Sequence, residues 1–160
     1  MNKNILFAFG GMVVGMVLMA IIVWFTMPSV MVVKYRSGQN YDKTVAALSE
    51  AITRKQDWRV LTVNDYQKST AAFGAIERTC SITVCNPRYA AQVLASDRNR
   101  GVTAFMPLGI GVYEDKQGNV YIASLNVPLI GRMFGGTIAE VMGKNAGNDL
   151  SEAIAFVAEK

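Results

Sequence analysis

Residues 5–25, ILFAFGGMVVGMVLMAIIVWF, form an unbroken apolar run, and no charged residue occurs from Asn4 to Val33. About 20 such residues are what a helix needs to cross the hydrocarbon layer of a membrane. Trp24 and Phe25 suit the aromatic belt at the exit interface, and Pro28 predicts a break soon after. The rival is a cleaved signal peptide, whose apolar core of about 7–15 residues ends in a small-x-small cleavage site. This run is longer, and its exit reads WFTMPSVM. Residues 1–28 are therefore expected to be an uncleaved transmembrane anchor, with residues 29–160 as the domain that follows.

Beyond the anchor the pattern changes period. Val30–Tyr35 is β-branched and predicts a first strand, closed by a Ser37-Gly38-Gln39-Asn40 turn. In YDKTVAALSEAITRK the spacing of Val45, Leu48 and Ile52 predicts a helix, with Glu50 and Arg54 paired one turn apart on its wet face. Trp58–Val63 predicts a second strand, and Asp65–Ala75 a loop or short helix. Thr79–Cys85 predicts a third strand feeding a helix over Pro87–Leu94. There Asn86 is placed to cap the first turn, and Pro87 occupies the position where a missing N–H does no harm. Asp97–Gly101 reads as a turn. Thr103–Glu114 and Asn119–Leu125 flank Asp115-Lys116-Gln117-Gly118 and predict a hairpin, with Pro107 at a strand start or on an edge. In Pro128–Gly143, Ile138, Val141 and Met142 continue a helical face; glycines 131, 135 and 136 suit bending or close packing. A last helix is expected over Leu150–Glu159, capped by Asn148 or Asp149. The order predicts an α+β fold, a single mixed or antiparallel sheet packed on helices and preceded by one N-terminal transmembrane helix.

Composition removes several chemistries. The chain has no histidine, which excludes the commonest general base, the commonest metal ligand and every triad built on imidazole. Its two cysteines cannot supply a four-thiolate zinc or iron–sulfur site. The net charge of +4 comes from scattered Lys and Arg, which does not indicate nucleic-acid binding. No acid/base pair stands out among the carboxylates, so no catalytic residue is nominated, and the cofactor is left unknown.

The candidate chemistry centres on Cys85. On a regular strand Cys80 and Cys85 face opposite ways, about 16 Å apart at ~3.3 Å per residue, too far for a mutual disulfide. Cys80 reads as a small core residue. Cys85 precedes a helix N-terminus, where a thiol can have its pKa lowered, with Arg88 one turn in to add to the effect. A tight strand-to-helix corner that fits a small side chain explains the same cysteine without chemistry. Met106, Met133 and Met142 with Cys85 would make a soft sulfur set for Cu(I), although apolar packing accounts for the same methionines. In the anchor, Gly11 and Gly15 make a Gly-xxx-Gly seam through which a homodimer could form.

Several of these features resemble one family. Cys85-Asn86-Pro87 after a strand, then Ala90 and Leu94; Met106-Pro107 leading to an acidic turn and Gly118; Tyr41 to Leu48; and the segment around Met133 and Met142 are together similar to the domain of unknown function 302 family, over Val32 to Lys160. The resemblance implies a small α+β domain, often self-associating, with no established activity. The expectation is a membrane-anchored, non-enzymatic domain that binds a ligand or partner, as an accessory subunit of a membrane complex. The alternatives are thiol-based redox or sulfur handling through Cys85, and soft-metal binding. The candidate residues are Cys85, Asn86, Arg88, Met106, Met133 and Met142. The charge rule leans slightly towards a cytoplasmic domain, but a short tail before the anchor is the usual layout for export. The expected place is a bacterial inner membrane, single-pass, with the domain on the periplasmic side.

Overall fold

The structure, a computed structural model, describes residues 3–159 and divides between Met31 and Val32 into two units. The first unit is helix α1, Lys3–Met31. Its stretch Phe9–Met31, 23 residues with mean hydropathy 2.2, is long and apolar enough to cross a membrane. Pro28 does not end it as expected. Only three residues follow the proline, so the missing N–H costs one bond in a last turn that frays in any case. A Cβ at Gly11 or Gly15 would meet nothing within 4 Å, which leaves the Gly-xxx-Gly seam open on the helix surface.

The second unit runs β1 (Val32–Ser37), α2 (Tyr41–Thr53), β2 (Arg59–Asp65), α3 (Tyr66–Thr70), β3 (Thr79–Cys85) and α4 (Pro87–Leu94). A 3-10 segment, Asp97–Phe105, leads to β4 (Leu108–Glu114), β5 (Val120–Leu125) and α5 (Val127–Phe134). A last helical stretch passes from α6 (Gly136–Ile138) through π-helical Ala139–Ala146 into α7 (Gly147–Val157). The five strands form one sheet, ordered β1-β5-β4-β3-β2 and antiparallel throughout. The fold is α+β.

Period-2 alternation decides which face of the sheet is covered. Cys80, Ile82, Val84, Ile110, Val112, Val120 and Ile122 are buried, whereas Ser81, Thr83, Cys85, Gly111 and Ala123 on the other face are half-exposed. Leu48 and Ile52 of α2 and Leu150, Ile154 and Val157 of α7 belong to the same core. Truncating a fully buried side chain such as Ile82, Ile110 or Ile122 to Ala would cost about 2–5 kcal/mol.

Three sequence expectations shift. β1 begins at Val32 rather than Val30, because α1 takes up the two residues before it. Thr103–Phe105 is not strand: it ends the 3-10 segment, where the Thr103 hydroxyl donates to the Arg100 carbonyl at 2.7 Å. Met106 is extended and ends that segment, and β4 starts at Leu108. No cap separates a last helix at Asn148 or Asp149; α7 continues from the π-helical turns, and the Asp149 carboxylate is engaged elsewhere.

Register divides the sheet into two ends. Val32, Leu125, Leu108, Val84 and the Arg59–Cys85 pair lie at one, the Val32 end. Ser37, Val120, Glu114, Thr79 and Asp65 lie at the other, the Ser37 end. Over the Val32 end α5 crosses the helices behind it at backbone contact. A Cβ on Gly131 would sit 2.5 Å from the backbone of Gly143, and one on Gly147 2.8 Å from the Pro128 ring. Close packing is therefore what Gly131 provides.

Candidate functional site

The strand-to-helix corner at Cys85 is built as its sequence dictates. The Asn86 side-chain oxygen accepts from the backbone N–H of Arg88 (3.1 Å) and Tyr89 (3.2 Å), while its amide donates to the Gln56 carbonyl at 3.0 Å. With all three bonds made, Asn86 is buried without an orphaned group. The helix that it starts brings Tyr89 to Trp58, edge to face at 6.2 Å. Both donate to the same Asp149 oxygen, from the indole N–H at 2.9 Å and from the phenol at 3.0 Å.

This corner opens onto a narrow cleft of about 20 Å³, lined by Trp58, Cys85, Asn86, Tyr89, Met106, Pro107, Leu108 and Met142 among others. Four of the six residues singled out in the sequence thus meet: Cys85, Asn86, Met106 and Met142. Arg88 is not in the lining; its guanidinium pairs with Asp57 at 2.7 Å. Met133 lies on the surface, 64 % exposed, outside the cleft.

The thiol is not activated in the expected direction. Burial pushes Cys85 above the ordinary thiol value, and the Arg59 charge beside it offsets this only in part. Asn86 itself satisfies the first free N–H groups of α4, and Cys85 stands one residue outside the cap. Cys80 is raised as well, mainly by burial. Both cysteines are free.

A second cleft of about 20 Å³ adjoins the first and shares Leu108 and Met142 with it; its walls are apolar, including Val102, Phe105, Ile130 and Phe134. A roomier recess of about 170 Å³ follows, sharing Leu125 and Val127 with the second cleft. It lies between β1 and β5 on one side and α5 and α7 on the other. Val33, Leu150 and Ile154 give it apolar walls, and Tyr35, Ser124, Asn126 and Ser151 bring polar groups. Concavities thus run across the whole Val32 end. Sequence reasoning found the thiol end of this line and missed the recess. The one local signal there is Asn126-x-Pro128 after a strand, a second capped helix start: the Asn126 oxygen accepts from the Leu129 N–H at 3.2 Å.

Residues 33–157 match the family described as domain of unknown function DUF302. The chain belongs to the DUF302 family. The same fold is seen in the crystal structure of an uncharacterized conserved DUF302 protein from Bacillus stearothermophilus, with a TM-score of 0.69 at 20 % identity, covering 81 % of this chain and 99 % of that one. No curated protein matches the chain. The DUF302 match begins at Val33, one residue into β1, and leaves α1 outside it.

Proposed function

We propose that this DUF302 chain is a membrane-anchored, non-enzymatic binding domain that takes a small, partly apolar ligand in the recess at the Val32 end of its sheet. The observation that carries this is the recess: apolar walls with a few convergent polar groups are the usual composition of a small-molecule site. Its volume of about 170 Å³ suits a ligand of one or two rings rather than a large cofactor. Membrane attachment is supported by the length and apolarity of Phe9–Met31. A bacterial inner membrane with the domain on its outer side completes this reading.

Two measurements test the reading. Titration of ¹⁵N-labelled residues 32–160 with indole, as a small amphipathic probe, should shift the amides of Val33, Tyr35, Ser124 and Ser151 together, and Ser151→Leu should abolish those shifts. Scattered shifts, or shifts that survive the filled recess, overturn the ligand site. The full chain should stay with membranes through alkaline carbonate washing; release overturns the anchor.

One further observation supports a second reading. Cys85, Met106 and Met142 line one cleft, and soft thiolate and thioether donors suit Cu(I). Reduced protein should then hold Cu(I) against bathocuproine disulfonate, and Cys85→Ser should lose it. Immediate loss from the unaltered protein would leave Cys85 a packing residue.

A further inference from the structure

The Val32 end carries more than recesses. Phe105 and Phe134, 39 % and 48 % exposed, pack edge to face at 5.7 Å, with Met133 beside them in sequence. Large apolar side chains gathered on a surface mark a place where something docks. Arg132 belongs to the same helix, and the Arg98 guanidinium lies over Gly136 just beyond that helix. Among the described residues, neither arginine takes part in an ion pair. The patch therefore joins exposed aromatic and Met side chains to two uncompensated cations.

Its place in the chain indicates the occupant. β1 begins at the residue directly after α1, and Val32 pairs with Leu125, two residues before α5 begins. The patch-bearing helix thus starts beside the point where the domain is tied to its apolar helix. If about 20 residues cross the hydrocarbon layer and Trp24 and Phe25 mark its exit, Thr26–Met31 adds ~9 Å of helix at ~1.5 Å per residue. That is close to the depth of a headgroup layer, so Val32 emerges at its outer edge. Aromatic and Met side chains flanked by Arg are the composition that inserts shallowly into an anionic lipid surface.

We propose that the face formed by Phe105, Met133 and Phe134, with Arg98 and Arg132 nearby, docks on an anionic bilayer surface. This rests on the anchor reading, and its test uses the domain alone. Residues 32–160 make up one compact unit, and the family match over residues 33–157 falls wholly within it.

The test is flotation of residues 32–160 with vesicles of phosphatidylcholine containing a quarter phosphatidylglycerol, and with phosphatidylcholine alone, at low and high salt. The anionic vesicles should bind at least about fivefold more protein at low salt, and high salt should remove the difference. The pair M133S/F134S and the pair R98A/R132A should each lower binding about tenfold while leaving circular dichroism unchanged. No flotation with either vesicle, or binding that these variants do not alter, overturns the proposal. So does a fragment that is dimeric without lipid and becomes monomeric in M133S/F134S, because the face then belongs to a second copy. The two readings fail separately: a full chain that resists carbonate while its domain does not float retains the anchor alone, and the converse retains the docking face alone.

Discussion

The two ends of the sheet are built by different means. The Ser37 end is closed by polar bonds. The Asp115 carboxylate accepts from the backbone N–H groups of Gln117 (2.9 Å) and Asn119 (2.8 Å), and from the Asn119 amide, around a turn in which Gly118 takes φ +79°. Nearby Asp65 caps α3, the Ser37 and Thr44 hydroxyls bond at 2.7 Å, and Arg78 lies over the Tyr41 ring while pairing with Asp42. The Val32 end is instead shaped by backbone-on-backbone packing of α5, which leaves recesses beside it. Polar closure made of short local bonds leaves little room for a ligand. Crossing helices that approach most closely at glycines leave gaps on either side of the contact. The contrast explains why three adjoining concavities lie at the Val32 end, apart from a recess of about 370 Å³ between α2 and α7, and it can be tested by changing each end in turn.

The largest effect is expected from Gly131→Ala. Its Cβ would meet Gly143 backbone atoms at 2.5 Å, and a backbone cannot swing aside as a side-chain tip can. Overpacking costs about 1–3 kcal/mol, and a clash with backbone belongs at the upper end of that range. Urea unfolding of residues 32–160 should show the loss, together with weaker indole shifts at the recess. Gly111→Ala in β4 is the control: its Cβ would find only ordinary contacts at 3.7 Å and beyond, so stability should change by less than about 1 kcal/mol. Equal losses in the two variants would remove the packing argument for the Val32 end.

Next comes Asp149→Ala. It takes the acceptor from a buried Trp58 indole and from Tyr89 together, and an orphaned buried donor costs about 1–3 kcal/mol. Trp58 fluorescence should change with the loss of stability. A variant as stable as the parent would show that water replaces the carboxylate and that this corner is softer than its bonds suggest.

How much of this was legible in the sequence follows the same division. β3 and α4 have the predicted bounds, because Asn86-Pro87 marks the junction within two residues and alternation marks the strand. The hairpin turn was legible for the same reason: Asp115, Gly118 and Asn119 act within five positions. Asp149 was not. Its position suggested a helix cap, but its partners lie 91 and 60 residues away, and no local pattern announces them. The recess was also hidden, since Val33 and Ile154 become neighbours only once β1, β5 and α7 are assembled. At Cys85 the helix start was read correctly and its effect was not. Burial acts against the thiolate, and burial depends on Trp58, Met106 and Met142, which arrive from elsewhere in the chain.

Titration separates the ends by pH. At the Ser37 end Asp115, Asp65 and Asp42 are all held below the usual carboxylate value, by the Asn119 side chain, the Lys68 N–H and the Arg78 guanidinium respectively. A depressed folded pKa means stability present above the unfolded value, roughly pH 4, and lost as pH falls through the folded one. Tyr41 and Cys80 beside them are raised, chiefly by burial, so their contribution is present below the unfolded values of about 8.5–10 and lost as pH rises beyond them. Amide exchange should therefore loosen at the Ser37 end at both pH extremes. At the Val32 end Cys85 and Tyr89 are raised as well, so that end should loosen on the alkaline side too, with the acid-side loss beginning at the Ser37 end. An acid-side loss that begins in α5 would contradict this division.

The smallest effect belongs to Asp42→Asn. The pair that it breaks is well formed, with both Arg78 nitrogens on the carboxylate, one at 2.9 Å. Both side chains are nevertheless wet, at 40 % and 73 % exposure, and exposed pairs contribute about 0–1 kcal/mol. Arg78 also retains its place over the Tyr41 ring, 4.2 Å from the centroid, so the guanidinium is not left adrift. The unfolding midpoint should fall only slightly at low salt and not at all in 1 M salt, where charges this exposed are screened. A large loss that salt does not remove would mean that Asp42 is what holds Arg78 over the Tyr41 ring. The closed end would then depend on one surface carboxylate in the way the open end depends on Gly131.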